Sequence, residues 1–392
     1  MCSIRYAILL SGAVFFSLFY TATAFSRTWY IQVDGSGDVP TIQTAIDSAN
    51  PGDEILVAPG RYTWANQGGC DFGLLFFPRD VGGFTLRSEA GPDVTILDAQ
   101  GQGRVAFVQG YNNITIEGFT ITGGNAPAYG DYIGGGICVH ISEDDIIRDC
   151  VFINNTADIG AGFWATSRCN TRVENCTFVG NHARRFSGGV GVGYSQDLVT
   201  ITGCTVINNT ADEYGAGMIA LRSTVLVENT VFAGNQAGIS GGGLYASDTE
   251  VATFTGTTFS ENGAPEGGGV YVDGVSVLSI NQSIIAFSSE GGGLVVDPAA
   301  PVTLGCTDVF GNEGGDDWPT WVIDTGGNFS ADPLFCGSPG SWDYTLRANS
   351  PCLPGLHPGG LDCGLIGART VGCSGVPVKP VTWGSVKMLY LR

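Results

Sequence analysis

Apolar and polar positions alternate in short runs along most of this chain. Three such runs follow one another from Gly241, namely GGGLYAS, EVATFTG and TTFSEN. Each alternates with a period of two, and together they carry Val, Thr, Tyr and Phe. That period is the period of a β-strand, and no run is long enough to make a helix. Turn residues separate the runs, so the pattern predicts three short strands in every unit of a larger repeat.

The larger repeat is about 26 residues long. Each copy begins with a motif such as CTFVGN, continues through a short variable stretch and ends in a glycine cluster. The copies begin at Cys150, Cys176, Cys204, Thr230, Thr257, Ser283 and Cys306. Propeller blades, leucine-rich repeats and nine-residue calcium rolls have other periods or patterns. The repeat therefore predicts a right-handed parallel β-helix, an all-β solenoid of about ten coils with three strands in each, spaced roughly 4.8 Å apart along the axis.

Equivalent residues of successive coils should stack in ladders. The phenylalanines of the motif are expected inside and its asparagines at a turn, where they can hydrogen-bond along the axis. The members are Phe152, Phe178, Phe232 and Phe259, and Asn155, Asn181, Asn209, Asn235 and Asn262. Cys150, Cys176 and Cys204 share one repeat position. Because in-register side chains point the same way, a ladder of buried thiols is favoured there over a disulfide.

The chain divides into five segments. Arg5, an apolar run and Ala22-Thr23-Ala24 indicate a secretory signal peptide, with a membrane anchor as the alternative. An amphipathic segment over residues 40–49 predicts a helix that caps the first coil. No segment after the signal is long and apolar enough to span a membrane. The expected segments are signal 1–24, N-terminal cap and first coil 25–64, coils 65–327, C-terminal cap 328–375 and tail 376–392. The tail is either a sorting or attachment signal or a disordered end.

The C-terminal cap contains four cysteines, Cys336, Cys352, Cys363 and Cys373. In an exported chain they should form two disulfide bonds, although sequence does not choose among the three pairings. A zinc site is the alternative, but no CxxC motif or close pair of histidines accompanies these cysteines.

The charge balance restricts the class of partner. The sequence has 17 basic and 37 acidic residues, a net charge of −20. Such a surface repels nucleic acid and anionic membranes, and it suits an exported protein that could attract cations. The expected location is secreted or at the cell surface.

Two stretches resemble known families. The opening phrase VDGSGDVPTIQTAIDSANPGDEILVAPGRYT, residues 33–63, resembles the start of a pectin esterase catalytic domain. The glycine clusters and the Phe-x-x-Asn rhythm resemble bacterial right-handed β-helix repeat proteins of the pectin lyase-like class, and also the repeats of chlamydial polymorphic outer-membrane proteins. This resemblance covers residues 31–315 and implies the fold, not an activity. The esterase motifs do not follow Tyr62, and a lone GDD at residues 315–317 is weak support for a polygalacturonase.

One edge of the predicted solenoid collects charges from three successive coils. Asp158, then Arg184 and Arg185, then Asp212 and Glu213 occupy equivalent stretches. A pectate-type lyase needs a cationic base beside carboxylate-bound Ca²⁺. Arg184 or Arg185 is the candidate base, and the three acids are the candidate calcium ligands. The alternative is an exposed ladder of ion pairs. A second group, Glu143, Asp144, Asp145 and Arg148, is expected to be a solvated turn.

Three aromatic residues near predicted turns are candidates for stacking on sugars, namely Trp164, Tyr194 and Tyr214. Together these features favour an exported, non-catalytic β-helix protein that contacts extracellular polysaccharide or a cell-surface component. The alternative is a calcium-dependent polysaccharide lyase.

Overall fold

The computed structural model describes residues 26–79, 81–110, 112–126, 133–337 and 340–373. The predicted signal segment 1–24 and the tail 376–392 lie outside the described residues. Within those residues, no helix is both long and apolar enough to cross a membrane.

The described chain consists almost entirely of short strands. The first are β1 Thr28–Ile31, β2 Glu54–Val57, β3 Gly60–Thr63, β4 Leu75–Phe77, β5 Thr85–Ser88, β6 Thr95–Asp98, β7 Ala106–Gln109, β8 Thr115–Glu117, β9 Thr120–Thr122, β10 Asn125–Ala126, β11 Ile137–Arg148 and β12 Val151–Ile153. There follow β13 Thr156–Ile159, β14 Phe163–Glu174, β15 Thr177–Val179, β16 His182–Phe186, β17 Val190–Gly193, β18 Leu198–Thr202, β19 Thr205–Ile207, β20 Thr210–Ala211, β21 Met218–Leu221, β22 Thr224–Glu228 and β23 Val231–Ala233. The last are β24 Gln236–Ala237, β25 Leu244–Ser247, β26 Val251–Thr255, β27 Thr258–Ser260, β28 Val270–Asp273, β29 Leu278–Asn281, β30 Ile284–Ala286, β31 Leu294–Val296, β32 Val302–Gly305, β33 Asp308–Phe310 and β34 Ile323–Gly326. The two short helices are α1 Ile42–Ile46 and α2 Trp64–Gln67.

Counterpart strands of successive coils pair in parallel, and the resulting ladders form the faces of the solenoid. Face 1 contains β4, β7, β11, β14, β17, β21, β25, β28 and β31. Face 2 contains β1, β2, β5, β8, β11, β14, β18, β22, β26, β29, β32 and β34. The long strands β11 and β14 belong to both faces and join them into one 19-stranded sheet. Face 3 is a separate sheet of ten strands, which agrees with the predicted number of coils.

The coils between residues 125 and 237 contain a fourth strand that the sequence did not predict. Strands β10, β13, β16, β20 and β24 form this five-stranded face 4. Its inward positions are occupied by buried alanines, Ala126, Ala157, Ala183, Ala211 and Ala237. Their small side chains let successive backbones pair immediately after the asparagine turn.

The predicted ladders are present. Phe152 and Phe178 stack with ring centroids 4.5 Å apart, and Phe232 and Phe259 stack at 5.1 Å. The five asparagines are fully buried. Each of the first four donates from Nδ2 to Oδ1 of the next at 2.9–3.0 Å. The left-handed residue of that turn is the one before each asparagine, for example Asn154 at φ 54°. Cys150, Cys176 and Cys204 are buried free thiols, as expected.

The N-terminal end of the solenoid is covered by a helix, and the C-terminal segment packs along the side of the coils. Helix α1 buries Ile42, Ala45 and Ile46 against the first coils, as predicted for the N-terminal cap. At the other end, the C-terminal segment folds back along the outer side of face 3. Its Ala368 amide donates to Thr258 Oγ1 at 2.9 Å.

The disulfide bonds of the C-terminal cap differ from the expectation. Cys336 bonds Cys373, but Cys363 bonds Cys306 of the last coil, and Cys352 remains a buried thiol. The expectation that the four cap cysteines pair only among themselves is therefore wrong. The cap folds back along the coils and brings Cys363 within disulfide distance of Cys306, with Cα atoms 5.6 Å apart. One bond closes the cap on itself and the other ties it to the solenoid.

Candidate functional site

The corner between face 1 and face 2 is the most unusual part of the solenoid backbone. Residues with positive φ turn the chain from one face to the next. At the other corners these positions are mostly Gly, Asn or Asp. Here it is occupied by Ile141 at 56°, Arg168 at 67°, Tyr194 at 58°, Arg222 at 46° and Asp248 at 49°. Large and β-branched residues rarely adopt this conformation, which costs roughly 1–2 kcal/mol per residue.

These side chains line a groove on the outside of the corner. It has a volume of about 640 Å³ and is completed by Ser167, Gln196 and Glu250. We call this set the corner groove. Arg168 and Tyr194 are exposed, and Tyr194 presents 54% of its surface. Arg222 lies with its guanidinium 6.0 Å from the centroid of the Tyr194 ring.

The groove carries its charges in order along the solenoid axis. Successive coils present Arg168, Tyr194, Arg222 and Asp248, so the two cations lie two coils apart, roughly 10 Å along the axis. Arg222 Nη2 lies 3.4 Å from Asp248 Oδ2. Arg168 has no ion pair with any residue that the structure describes. Although the protein as a whole is strongly acidic, this groove presents the exposed ring of Tyr194 between two guanidinium groups, where a ligand can reach it.

Coil 137–148 has one residue fewer at this corner than coil 163–174. Ile141 faces both Ser167 and Arg168, and the pairing register shifts there. Both Ser167 and Arg168 have positive φ, at 65° and 67°. The extra residue is a bulge, and bulges commonly re-aim a side chain at a functional site; Arg168 is exposed here.

A ladder of small polar side chains supports the corner from inside. It consists of Ser142, Cys169, Ser195, Ser223, Thr249 and Ser276, all buried. Ser195 Oγ accepts from the Cys169 amide at 2.8 Å, and Ser276 Oγ accepts from the Thr249 amide at 3.2 Å. Hydrogen bonds between coils thus hold the left-handed residues in place from beneath.

Asp145 is buried near the same corner, which corrects the expectation of a solvated turn over residues 143–145. Its side chain accepts from the Ile114 amide at 2.8 Å and from the Ser142 hydroxyl. Burial raises the pKa of Asp145 to about 6, against the lowering effect of those two hydrogen bonds. Glu143 and Asp144 are exposed, as expected.

The second predicted cluster does come together, but as ion pairs. Arg184 pairs with Asp158 and also donates to the Ala126 carbonyl at 2.8 Å. Arg185 Nε lies 3.4 Å from Glu213 Oε1, and its guanidinium covers the Phe186 ring at 4.6 Å. The predicted base candidates thus each have an acidic neighbour.

The three acidic side chains of that edge do not meet at one point, because each lies beside a different basic residue. Asp212 Oδ1 lies 3.9 Å from His182 Nε2, while Asp158 and Glu213 face the two arginines. Among the residues that the structure describes, no group of three or more His, Cys, Asp or Glu side chains could hold a metal ion. The edge therefore has the arrangement of the ion-pair ladder that was the alternative interpretation.

The three aromatic candidates have different environments. Trp164 is only 3% exposed, so the expectation that it presents a ring face for stacking is wrong. Its indole lies against Gly191 and Gly193 of the next coil, where any Cβ would collide with the ring. Tyr214 is half-buried in a row with Phe186, Tyr245 and Tyr271, with centroids 4.9–5.6 Å apart. Only Tyr194 is exposed and lies in a groove.

The neighbours of Tyr214 in that row use their hydroxyls internally. Tyr245 donates to Asp273 Oδ2 at 2.8 Å, and burial followed by this acid raises the pKa of Tyr245 above its usual value. Because Tyr245 and Tyr271 stack face to face, the row presents mainly ring edges. It is less suited than Tyr194 to stacking on a sugar ring.

Comparison with known proteins identifies the class of fold. Residues 98–237 match the family model described as the right handed beta helix region. The chain is a right-handed parallel β-helix with the pectin lyase-like fold. No curated protein matches its sequence.

Several solved structures superpose on this chain. The pectate lyase Pel9A superposes with a TM-score of 0.55 and 16% identity, covering 88% of this chain and 97% of the lyase. Pectin methylesterase from carrot gives a TM-score of 0.38 and 11% identity, over 78% of this chain and 88% of the esterase. The A-module of the mannuronan C-5 epimerase AlgE4 of Azotobacter vinelandii gives 0.38 and 15%, over 77% and 97%. At 16% identity the likeness to Pel9A establishes the fold alone.

Proposed function

We propose that this chain is an exported, non-catalytic β-helix protein that binds acidic extracellular polysaccharide through the corner groove. The observation that supports it most is the occupancy of the left-handed corner positions. Ile141, Arg168, Tyr194 and Arg222 stand where glycine or asparagine would be less strained. Strain that persists at an exposed site points to a role of the side chains in function.

The chemistry of the groove suits a chain of sugar acids. A guanidinium group can donate two parallel hydrogen bonds to one carboxylate, and Arg168 has no competing ion pair among the described residues. The Tyr194 ring offers an exposed apolar surface between the two arginines. A sugar unit stacked on Tyr194 could therefore place the carboxylates of its neighbours near Arg168 and Arg222.

The calcium-dependent lyase is the rival proposal. It would use Arg184 or Arg185 as base and calcium held by Asp158, Asp212 and Glu213. The ion pairs of both arginines support binding over catalysis, because each candidate base is already engaged by an acidic side chain of a neighbouring coil. The fold of Pel9A is compatible with either function.

One experiment separates the two proposals. Polygalacturonate, alginate and neutral dextran are cast into native gels, and the retardation of each variant is compared. We expect retardation by the two acidic polymers only, lost in the double variant Arg168→Ala/Arg222→Ala and kept in the matched control Arg185→Ala. The same samples are followed for unsaturated uronate absorbance with and without a chelator.

Two outcomes would overturn the binding proposal. The first is no retardation of the wild-type protein by either acidic polymer. The second is chelator-sensitive absorbance that disappears in Arg184→Ala or Arg185→Ala, which would establish the lyase. The expected location, secreted or cell-surface, is tested by fractionating cells that express the full chain. A matched variant that lacks residues 376–392 tests whether the tail retains the protein at the surface.

A further inference from the structure

A second concave site lies between the C-terminal cap and the coils. It has a volume of about 190 Å³. Glu261 and Phe287 contribute to it from the coils, and Phe335, Tyr344 and Arg347 from the cap. At about 30 Å³ for each water, the volume corresponds to roughly six water molecules, close to the size of one sugar ring. We call this site the cap pocket.

The cap holds the walls of the pocket in place. Phe335 and Leu346 pair as an antiparallel bridge, and the Cys336 amide donates to the Thr345 carbonyl at 2.8 Å. Tyr344 packs its ring edge-on against Phe335 with centroids 5.3 Å apart. The disulfide bond of Cys336 to Cys373 anchors the same segment. The aromatic walls of the pocket are therefore built into a covalently fixed element.

The Tyr344 hydroxyl is the observation that points to a ligand in this pocket. Tyr344 is 5% exposed, and its hydroxyl has no hydrogen-bond partner among the residues that the structure describes. Burial, with a smaller effect of Glu261, raises the pKa of Tyr344 above its usual value, so the hydroxyl keeps its proton. Buried tyrosine hydroxyls almost always find a partner, and Tyr344 is one of the residues that line the cap pocket.

The other polar groups of the pocket converge with that hydroxyl. The Glu261 carboxylate is half-buried and accepts from the Gly340 amide at 2.8 Å, which leaves further lone pairs free. Arg347 is exposed and forms no ion pair with any described residue. Asp332 and Asp343 also border the pocket, so three acids face one cation. A ligand that carries a carboxylate is disfavoured by this balance.

We propose that the cap pocket binds one neutral sugar unit. Tyr344 and Arg347 donate to its hydroxyls, Glu261 accepts from them, and Phe287 and Phe335 cover its apolar side. The site uses no residue of the corner groove, so it is independent of the proposed binding of acidic polysaccharide. It would suit a neutral side branch or terminal residue of a glycan.

Saturation-transfer NMR on the full chain tests this site directly. The probes are the methyl glycosides of D-glucose, D-galactose and L-rhamnose, with D-galacturonate as the acidic comparator. We expect titratable transfer to at least one neutral glycoside and weaker transfer to galacturonate. Tyr344→Phe removes one hydroxyl and should weaken that binding about five- to tenfold. Tyr30→Phe, at an exposed tyrosine of the other cap, and Arg168→Ala/Arg222→Ala should bind as the wild type does.

The proposal fails if no neutral glycoside receives saturation, which would mean that ordered water alone satisfies Tyr344. It also fails if Tyr344→Phe binds with unchanged affinity, or if galacturonate binds at least as tightly as every neutral glycoside. Arg347→Met is the second variant, because an exposed side chain can be changed without disturbing the cap. Circular dichroism and thermal melting establish that each variant is folded before binding is compared.

Discussion

Tyr194 offers the clearest separation of stability from function in this protein. Its backbone is left-handed, with φ at 58°, and the residue is 54% exposed. Asparagine adopts this conformation readily, so Tyr194→Asn should relieve the strain while removing the ring from the corner groove. Tyr194→Phe is the matched control, because it keeps both the strain and the ring.

The expected gain in stability can be worked out from the surroundings of the ring. A non-glycine residue in the left-handed region costs roughly 1–2 kcal/mol. Tyr194→Asn also removes the interaction of the ring with the Arg222 guanidinium at 6.0 Å, and an exposed pair of this kind contributes about 0.5–1 kcal/mol. Tyr194→Asn should therefore raise the free energy of unfolding by about 0.5–1 kcal/mol, and Tyr194→Phe should leave it unchanged.

Guanidinium unfolding followed by fluorescence measures the stability, and retardation by polygalacturonate measures binding in the same preparations. We expect Tyr194→Asn to be more stable and to bind weakly, the combination seen where a strained residue serves function. A loss of stability in Tyr194→Asn would refute the argument from strain. Undiminished binding would refute the role of the ring in the corner groove.

Three other predictions concern the scaffold. The pKa of Asp145 is about 6 in the folded protein and 3.8 in the unfolded chain, so protonation of this side chain favours the folded state. The contribution is about 3 kcal/mol, is fully present below pH 4 and is lost as pH rises through 6. In Asp145→Asn that dependence should vanish from the pH profile of the unfolding free energy; an unchanged profile would contradict the assignment. Asn209→Ala breaks four buried hydrogen bonds and should lower the free energy of unfolding, measured in urea, by about 3–5 kcal/mol. A loss below about 1 kcal/mol would contradict the ladder as a source of stability. Cys306→Ser removes the disulfide bond to Cys363, which closes a loop with a sequence separation of 57, and should destabilise the cap by about 4 kcal/mol. Limited proteolysis should then cut the cap earlier than in the wild type, and wild-type resistance would argue against this pairing.

The fold was predictable because a solenoid repeats its own constraints. Every coil must place an apolar residue inside and a hydrogen-bonding residue at the same turn, so Phe152 and Asn155 recur in register down the chain. Helix α1 was predictable from apolar spacing alone. The additional strands of face 4 were not, because two-residue strands such as β10 carry no periodicity.

The candidate site was less accessible to prediction, because it departs from the usual preferences of residues in turns. Residues such as Tyr194 and Arg222 do not mark a left-handed turn, so the sequence pattern does not distinguish this corner from a variable stretch. Aligning the copies on the strands, and asking which turn lacks Gly or Asn, would reveal it. The expectation for Trp164 fails for a different reason, since the burial of its ring depends on glycines of the next coil.

Contacts between residues that are distant in the sequence leave no local pattern in the sequence either. Asp145 stands in a charged stretch, and its burial depends on the Ile114 amide and the Ser142 hydroxyl. The disulfide partner of Cys363 lies 57 residues earlier in the chain. No spacing rule connects the two.

The most direct test of the corner groove as an acidic-glycan site is calorimetric titration of a defined oligogalacturonate into wild-type protein and the Arg168→Ala/Arg222→Ala variant, at low and high salt. Each charged hydrogen bond that is removed should weaken binding about tenfold, so the double variant should bind roughly a hundredfold more weakly. Wild-type binding should also weaken as salt rises. Equal affinity of the two proteins, or binding that is indifferent to salt, would contradict the account.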